Sequence, residues 1–359
     1  VGLLEGRRDA GLLEGHQRQK GNKIEMKNPL TNGRLIAVNY DQDKYVKTEV
    51  GRKGQADFLM SRSELMDFYA CPSRWIRGGT AKEETDSTEW GSLVDCLLTD
   101  RARFENRFAI KPEMYPVIDK YGNQTDEKKW SGNSNWCKEW LAEQEALGKL
   151  CIKKEDFTEA EKAVERFTKD PIISRLLDGA SFQVFVMAEY RDSDTGLTVP
   201  VKALLDIVPE HPFERSIIDL KTATDANPYR WGRACHENQY HIQAAVQLDC
   251  YNASADVSDH RTEFRHIVQE NFPPYEISKP WLDESFVQLG RETYLRALKL
   301  YARCLAENKW PNYDELQRDS YEGWSMISPE AWMVGGDAIK DPEWMKSDES
   351  DSKPVDIIP

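Results

Sequence analysis

Two aspartates and a lysine carry the strongest chemical signal in this sequence: Asp206, closing the run Leu204-Leu205-Asp206, and Asp219-Leu220-Lys221 further on. Strand alternation puts Asp219 and Lys221 on one face and turns Ile218 and Leu220 to the opposite face, into a core. A hairpin connection through Pro209 and Pro212 brings Asp206 beside Asp219. Neighbouring carboxylates repel unless something cationic lies between them, and a hard divalent cation prefers such oxygen ligands, so Mg²⁺ or Mn²⁺ fits better than zinc. A bound ion of that kind lowers the pKa of a coordinated water and clamps a phosphate oxygen, as in-line phosphodiester hydrolysis requires. Lys221 then orients the water and stabilises charge building on the phosphorus oxygens. The competing reading, charges on an exposed sheet edge, suits any single Asp-x-Lys. Asp206, the apolar strands and a glutamine-bearing helix favour a site.

That helix carries Gln239, Gln243 and Gln247 at i, i+4 and i+8, with His236 and Tyr240 beside them. Amides and a phenol can position a phosphate or an attacking water through hydrogen bonds. For Gln239 and Gln247 a solvated helix face is an equally good account. Glu189 either completes a metal shell or is a strand-end charge. His236, His241 and His266 are expected in surface or helix-packing roles, because a metal-activated water needs no histidine base. Arg62, Arg74 and Arg77, interleaved with Trp75, either line a DNA entry or are an ordinary solvated cluster.

The elements that must position these residues begin near Ser61, where Ser61-x-x-Glu64 has the form of a capping box ahead of Leu65, Phe68 and Tyr69. Trp90, Leu93, Val94, Leu97 and Leu98 form one apolar helical face with Gly91 and Asp95 on its flank. Residues 112–150 read as a long surface connection passing into a helix over Trp136–Leu147, and a further helix spans Glu159–Leu177 with a break near Pro171. Phe182–Tyr190, Leu197–Val208 and Ser216–Lys221 predict a three-strand meander. A long helix over Arg233–Tyr251, a strand at Glu263–Glu270 and a helix from Leu282 to Asn308 follow. The order gives an α/β class, a central sheet flanked by helices.

The chain has 359 residues and a formal net charge of −14, with no run of apolar residues long enough to span a membrane. At face value that charge speaks against nucleic acid. A local basic channel in an acidic protein removes the objection and predicts positive potential confined to one opening near Lys221. The seven cysteines form no C-x-x-C pair and read as reduced, cytoplasmic thiols. Residues 1–25, with the repeated Gly-Leu-Leu-Glu-Gly of positions 2–6 and 11–15, are expected to lie outside the fold, within a leader of uncertain order over 1–60. An acidic tail is expected over 319–359.

The motif Asp206…Asp219-Leu220-Lys221-Thr222 resembles the core of the PD-(D/E)XK nucleases. More closely, the chain is similar to the exodeoxyribonuclease VIII family of phage and prophage. The similarity is carried by Gly91-Ser92-Leu93-Val94-Asp95, Ala188-Glu189, Val201–Asp206, Ile217–Thr222, Tyr240–Ala245, Gln269-Glu270 with Pro274-Tyr275, and Trp310–Tyr313. The resemblance implies a restriction-endonuclease-like core over 61–318 with extra N-terminal helices. It also implies a Mg²⁺-dependent exonuclease acting 5′→3′ on linear double-stranded DNA to leave 3′ single-stranded overhangs for recombination. Asp206, Asp219, Lys221, Glu189, Gln243 and Tyr240 would be catalytic, and Asp95, Asp206, Asp219 and Leu220 the metal positions. It further implies a trimeric or tetrameric ring and a single-strand annealing protein as partner. Most relatives carry histidine where Asp95 stands and tyrosine where Gln247 stands; Asp95 is still a competent ligand for Mg²⁺. A related RecB- or CRISPR-associated-type nuclease and a non-catalytic DNA-binding paralogue are the alternatives.

Overall fold

The computed structural model describes residues 28–48, 51–79, 86–210, 214–316, 320–321, 324–325 and 327. The repeated leader of residues 1–25 and nearly all of the acidic tail lie outside these. The expected meander is present. β7 (Ser181–Arg191) pairs antiparallel with β8 (Thr198–Val208), and β8 pairs antiparallel with β9 (Ser216–Ala223) through Ile207↔Ile218. β10 (Glu263–Glu270) joins β9 in parallel, which makes the sheet mixed. The short strands β11 (Ile277–Ser278) and β12 (Trp281–Leu282) pair with β10.

The opposite edge corrects the expected boundary at Ser61. β1 (Leu30–Ala37) pairs antiparallel with β7, and α1 (Gln42–Lys47) and β2 (Met60–Ser61) follow. Leu30, Phe58, Leu59 and Met60 are buried, so the segment from residue 28 belongs to the fold and is not a leader.

Helices cover both faces, as the α/β class demands. α10 (Tyr240–Ser254), α11 (Glu284–Glu307) and α2 (Arg62–Ala70) share one apolar cluster with Val186, Val201, Leu205, Ile217 and Phe264. α4 (Asp86–Thr99), α7 (Lys154–Lys169) and α8 (Pro171–Leu177) share a second with Ile207, Ile218, Leu220 and Ile267. Ile218 and Leu220 thus sink into the second core while Asp219 between them faces the first. A Cβ on Gly290 of α11 would stand 2.1 Å from the His241 carbonyl oxygen, so only glycine allows α10 and α11 to approach this closely.

Three other expectations need correction. The helix over Arg233–Tyr251 is two helices, α9 (Pro228–Glu237) and α10, because Gln239 adopts a left-handed φ of 58°. The connection at 112–150 contains a hairpin of β4 (Met114–Ile118) and β5 (Gln124–Lys129), preceded by β3 (Phe108–Ile110). Tyr115, Trp130, Trp136 and Trp140 pack this hairpin onto α6 (Asn135–Ala146), and β6 (Leu150–Ile152) returns to pair with β3. At α2, Ser61 caps the Glu64 N–H at 3.2 Å, but Glu64 turns away and accepts from the Trp75 indole of α3 (Pro72–Ile76), so the box is only half made. α5 (Phe104–Arg107) and α12 (Tyr313–Leu316) complete the helices used below.

Candidate active site

The sheet opens where β8 and β9 diverge. Past their bridge at Ile207↔Ile218, the Asp206 carboxylate takes over as acceptor and receives the Leu220 N–H at 3.0 Å. This side-chain-for-backbone exchange brings Asp206 against Asp219, to which it hydrogen bonds. α4 approaches the same point. A Cβ on its Gly91 would meet Thr222 Oγ1 at 3.0 Å, so a residue with little or no side chain lets the helix close on β9 and carries Asp95, one turn later, to the site. Asp95, Asp206 and Asp219 line one cavity of about 620 Å³ together with Lys221, Tyr240, Gln243 and Arg62.

Each remaining group is held by its own local geometry. Lys221 Nζ lies 2.5 Å from Asp219 Oδ2 and 4.9 Å over the ring of Tyr240, which stacks on Trp231. Gln243 donates Nε2 to Asp219 Oδ1 at 2.6 Å and accepts from Arg62 Nη2 at 3.2 Å, so the guanidinium fixes which end of the amide faces the carboxylate. Gln247, one turn on, donates to the Leu204 carbonyl at 2.8 Å and ties α10 to β8. Gln239 is the exposed residue at the helix break and takes no part.

The electrostatics follow from crowding. Burial, reinforced by the charges of Asp219 and Asp95, pushes Asp206 well above the usual carboxylate range. Burial likewise raises Asp95 to about 6, against the pull of Arg107 and a hydrogen bond from Thr99. Burial works in the same direction on Asp219, but Lys221, His266 and the Asp206 hydrogen bond outweigh it and hold Asp219 below its ordinary value. Lys221 is raised: its own burial is overcome by Asp219 and Asp206.

His266 corrects an expectation. It is neither a surface nor a helix-packing residue but the β10 partner of Asp219, with Nε2 3.9 Å from Oδ2. Burial drives its pKa down to about 4, and Trp231 Nε1 donates to Nδ1 at 3.4 Å, which leaves the proton on Nε2 facing Asp219. His241 does pack, stacked on Phe286, and His236 is exposed.

Glu189 is a second correction. It stands opposite Pro200, six positions from Asp206 along β8, or roughly 20 Å at the rise of a strand. Its carboxylate accepts from Asn32 Nδ2 at 2.7 Å, so it secures the edge strand and no metal. Of the three arginines, only Arg62 reaches the cavity. Arg74 is bonded to the Tyr313 hydroxyl and Arg77 is exposed, and neither lines it. The Leu220 side chain belongs to the second core, leaving only its main chain at the cavity.

The expected positive opening is absent from the cavity wall. Three cationic side chains (Arg62, Lys202, Lys221) face five acidic ones (Glu64, Asp67, Asp95, Asp206, Asp219). Among the described residues no three His, Cys, Asp or Glu side chains stand at ligand spacing, because Asp206 and Lys221 close on Asp219 instead. The donor chemistry nevertheless fits a hard divalent ion. The donors are all oxygen, acidic side chains outnumber basic ones on the wall, and Asp219 Oδ2 is buried without a hydrogen bond of good geometry. Asp95, Asp206 and Asp219 are the residues that would hold it.

Sequence reasoning missed Gln183, whose Nε2 lies 3.4 Å from both oxygens of Asp95. A polar residue inside the apolar run Phe182-Gln183-Val184-Phe185-Val186 was the available signal. It also missed Lys202, which is buried, lines the cavity and donates to the carbonyls of Tyr45 in the last turn of α1 and of Thr48 just beyond it.

No curated protein matches the chain. Among solved structures, a protein from Eubacterium rectale described as a "putative exonuclease" superposes with a TM-score of 0.46 at 17% identity, covering 84% of this chain and 97% of that one. No described helix is long and apolar enough to cross a membrane. Residues 61–317 match the model of a PDDEXK-like domain of unknown function (DUF3799). That span holds every residue of the acidic cluster, and the chain belongs to this PDDEXK-like family, whose α/β core is the mixed sheet flanked by helices described above.

Proposed function

We propose that this chain is a divalent-metal-dependent nuclease that hydrolyses phosphodiester bonds, and that its substrate is the end of linear double-stranded DNA. The observation that carries the reading is the convergence of Asp95, Asp206 and Asp219 with Lys221 and Gln243 on one cavity, within the segment matched by the PDDEXK-like family. A bound Mg²⁺ or Mn²⁺ supplies charge neutralisation at the phosphate and a more acidic water. The chain's own residues do the rest. Lys221, steered by Asp219 below and the Tyr240 ring beside it, stabilises charge on the phosphate oxygens. Gln243 fixes Asp219 through the Arg62 bridge, and Arg62 offers the cavity a cation for a backbone phosphate.

The resemblance to the exodeoxyribonuclease VIII family supports the finer picture: digestion 5′→3′ to leave 3′ overhangs, a ring of three or four copies around the duplex, an annealing protein as partner, and a cytoplasmic setting. The test is digestion of end-labelled linear duplex with Mg²⁺, Mn²⁺ or chelator, comparing wild type with Asp219→Ala and Lys221→Ala. Metal-dependent loss of the 5′ label first, abolished in both variants, is expected. Digestion that resists chelation, or full activity in either variant, rejects the site.

A further inference from the structure

The strongest unexplained feature beside the cavity is a strand residue that is both strained and incompletely bonded. Gln183 lies within β7 between Phe182↔Ile207 and Val184↔Leu205, hence opposite Asp206. It is 2% exposed and adopts a left-handed φ of 44°, a conformation that costs any residue with a Cβ. Its main chain is locked there by the Tyr40 N–H, which bonds the Gln183 carbonyl at 3.0 Å. Its Oε1 is buried without a partner. An apolar residue would avoid the orphaned oxygen and suit the flanking Phe, Val and Phe, so packing does not account for glutamine.

The side-chain amide accounts for it. Nε2 faces both oxygens of Asp95 at 3.4 Å and Thr99 Oγ1 at 3.3 Å, while the Thr99 hydroxyl lies 2.8 Å from the Asp95 main-chain carbonyl oxygen and 3.2 Å from Oδ1. Gln183 does not itself line the cavity, whereas Asp95 does. The amide therefore meets the carboxylate from within the protein, not from the cavity wall. Strained backbone persists where the surrounding structure over-determines it, and such sites cluster around function.

We propose that Gln183 is a positioning residue for Asp95. The left-handed bend in β7 places its amide against both oxygens of that carboxylate, with Thr99 beside it, so that the orientation of Asp95 toward a divalent cation in the cavity is fixed. This rests on the metal-dependent reading above. Partners that orient a ligating group typically change metal affinity by about 10- to 100-fold when removed.

The test is titration calorimetry of the full chain with Mn²⁺ alone, alongside melting temperatures in chelator. Gln183→Leu and Gln183→Gly are each measured with Asp95 present and in an Asp95→Ala background. With Asp95 present, both variants are expected to bind Mn²⁺ about tenfold or more weakly. Gln183→Gly should melt no lower than wild type, because glycine takes this φ without strain. In the Asp95→Ala background neither substitution should change Mn²⁺ affinity. Unchanged affinity with Asp95 present, or an equal loss without it, overturns the proposal and leaves the metal site standing. If instead wild type and Asp219→Ala bind Mn²⁺ alike, the metal site itself is wrong, and the role of Gln183 falls with it.

Discussion

Helix α10 meets two buried carboxylates, and the fold treats them in opposite ways. Asp249, on the helix itself, receives Arg291 Nε and Nη2 at 2.8 Å each and the Tyr294 hydroxyl at 2.6 Å. Every strong acceptor position there has a protein donor, and the charge is matched by one bidentate guanidinium. Asp219, reached by Gln243 two turns earlier, shares its surroundings with Asp206 and Asp95 and has a single lysine between them. The first arrangement fixes α10 against α11. The second leaves three crowded carboxylates sharing one lysine, with Asp206 and Asp95 pushed toward their protonated forms, a strain that a bound cation relieves and the opposite of a stability device.

The sharpest way to break that contrast is to remove each carboxylate in turn. Asp219→Ala is expected to cut metal-dependent digestion of linear duplex by about a thousandfold or more, while its cost in chelator, from leaving Lys221 and Gln243 without their partner, stays below that of Asp249→Ala. Asp249→Ala should do the reverse. It strands Arg291 and the fully buried Tyr294 hydroxyl, at a cost of about 3–5 kcal/mol in urea unfolding, while whatever protein remains folded keeps its activity per folded molecule. If Asp219→Ala destabilised as strongly as Asp249→Ala, the cluster would be structural.

Ligand linkage separates the two regions at an intermediate size. Mg²⁺ at a hundred times its dissociation constant should stabilise wild type by about 2.7 kcal/mol, read as a rise in melting temperature over the chelated protein. Asp249→Asn should keep that increment from a lower baseline, and Asp219→Ala should lose it. An increment that survives in Asp219→Ala places the ion elsewhere.

The same contrast explains what was legible in sequence. Asp206, Asp219 and Lys221 could be read because strand alternation is local and two apolar residues, Ile218 and Leu220, declare the core face. Glu189 was misplaced because its strand was right but its register was not: six positions of offset are decided by how β7 pairs with β8, which no local pattern records. Edge strand β1 was invisible because Thr31-Asn32-Gly33 reads as a turn and only Leu30 at its start is deeply buried. The break at Gln239 was invisible because the apolar and polar periodicities of α9 and α10 run on through it. His266 and Gln183 were each a lone polar residue in an apolar strand, a pattern that marks a position as special without naming the partner.

Asp206→Asn gives the smallest effect and the finest discrimination. The amide copies the shape of the protonated acid: it can accept from the Leu220 N–H and donate toward Asp219, as Asp206 does. Because burial and two neighbouring carboxylates raise Asp206 in the folded chain, the native state retains a proton that the unfolded chain releases above about pH 4. Native stability of the metal-free wild type therefore falls as pH rises from there toward the elevated folded pKa, and the asparagine variant escapes that loss. In chelator the two should unfold alike near pH 4, with the variant the more stable of the two by neutral pH. Its Mg²⁺-dependent increment should vanish. Asp249→Asn has no such compensation, because its Arg291 partner needs the full charge. A loss of stability at neutral pH in Asp206→Asn comparable to that of Asp249→Asn would put both carboxylates in one class and remove the electrostatic case for a cation.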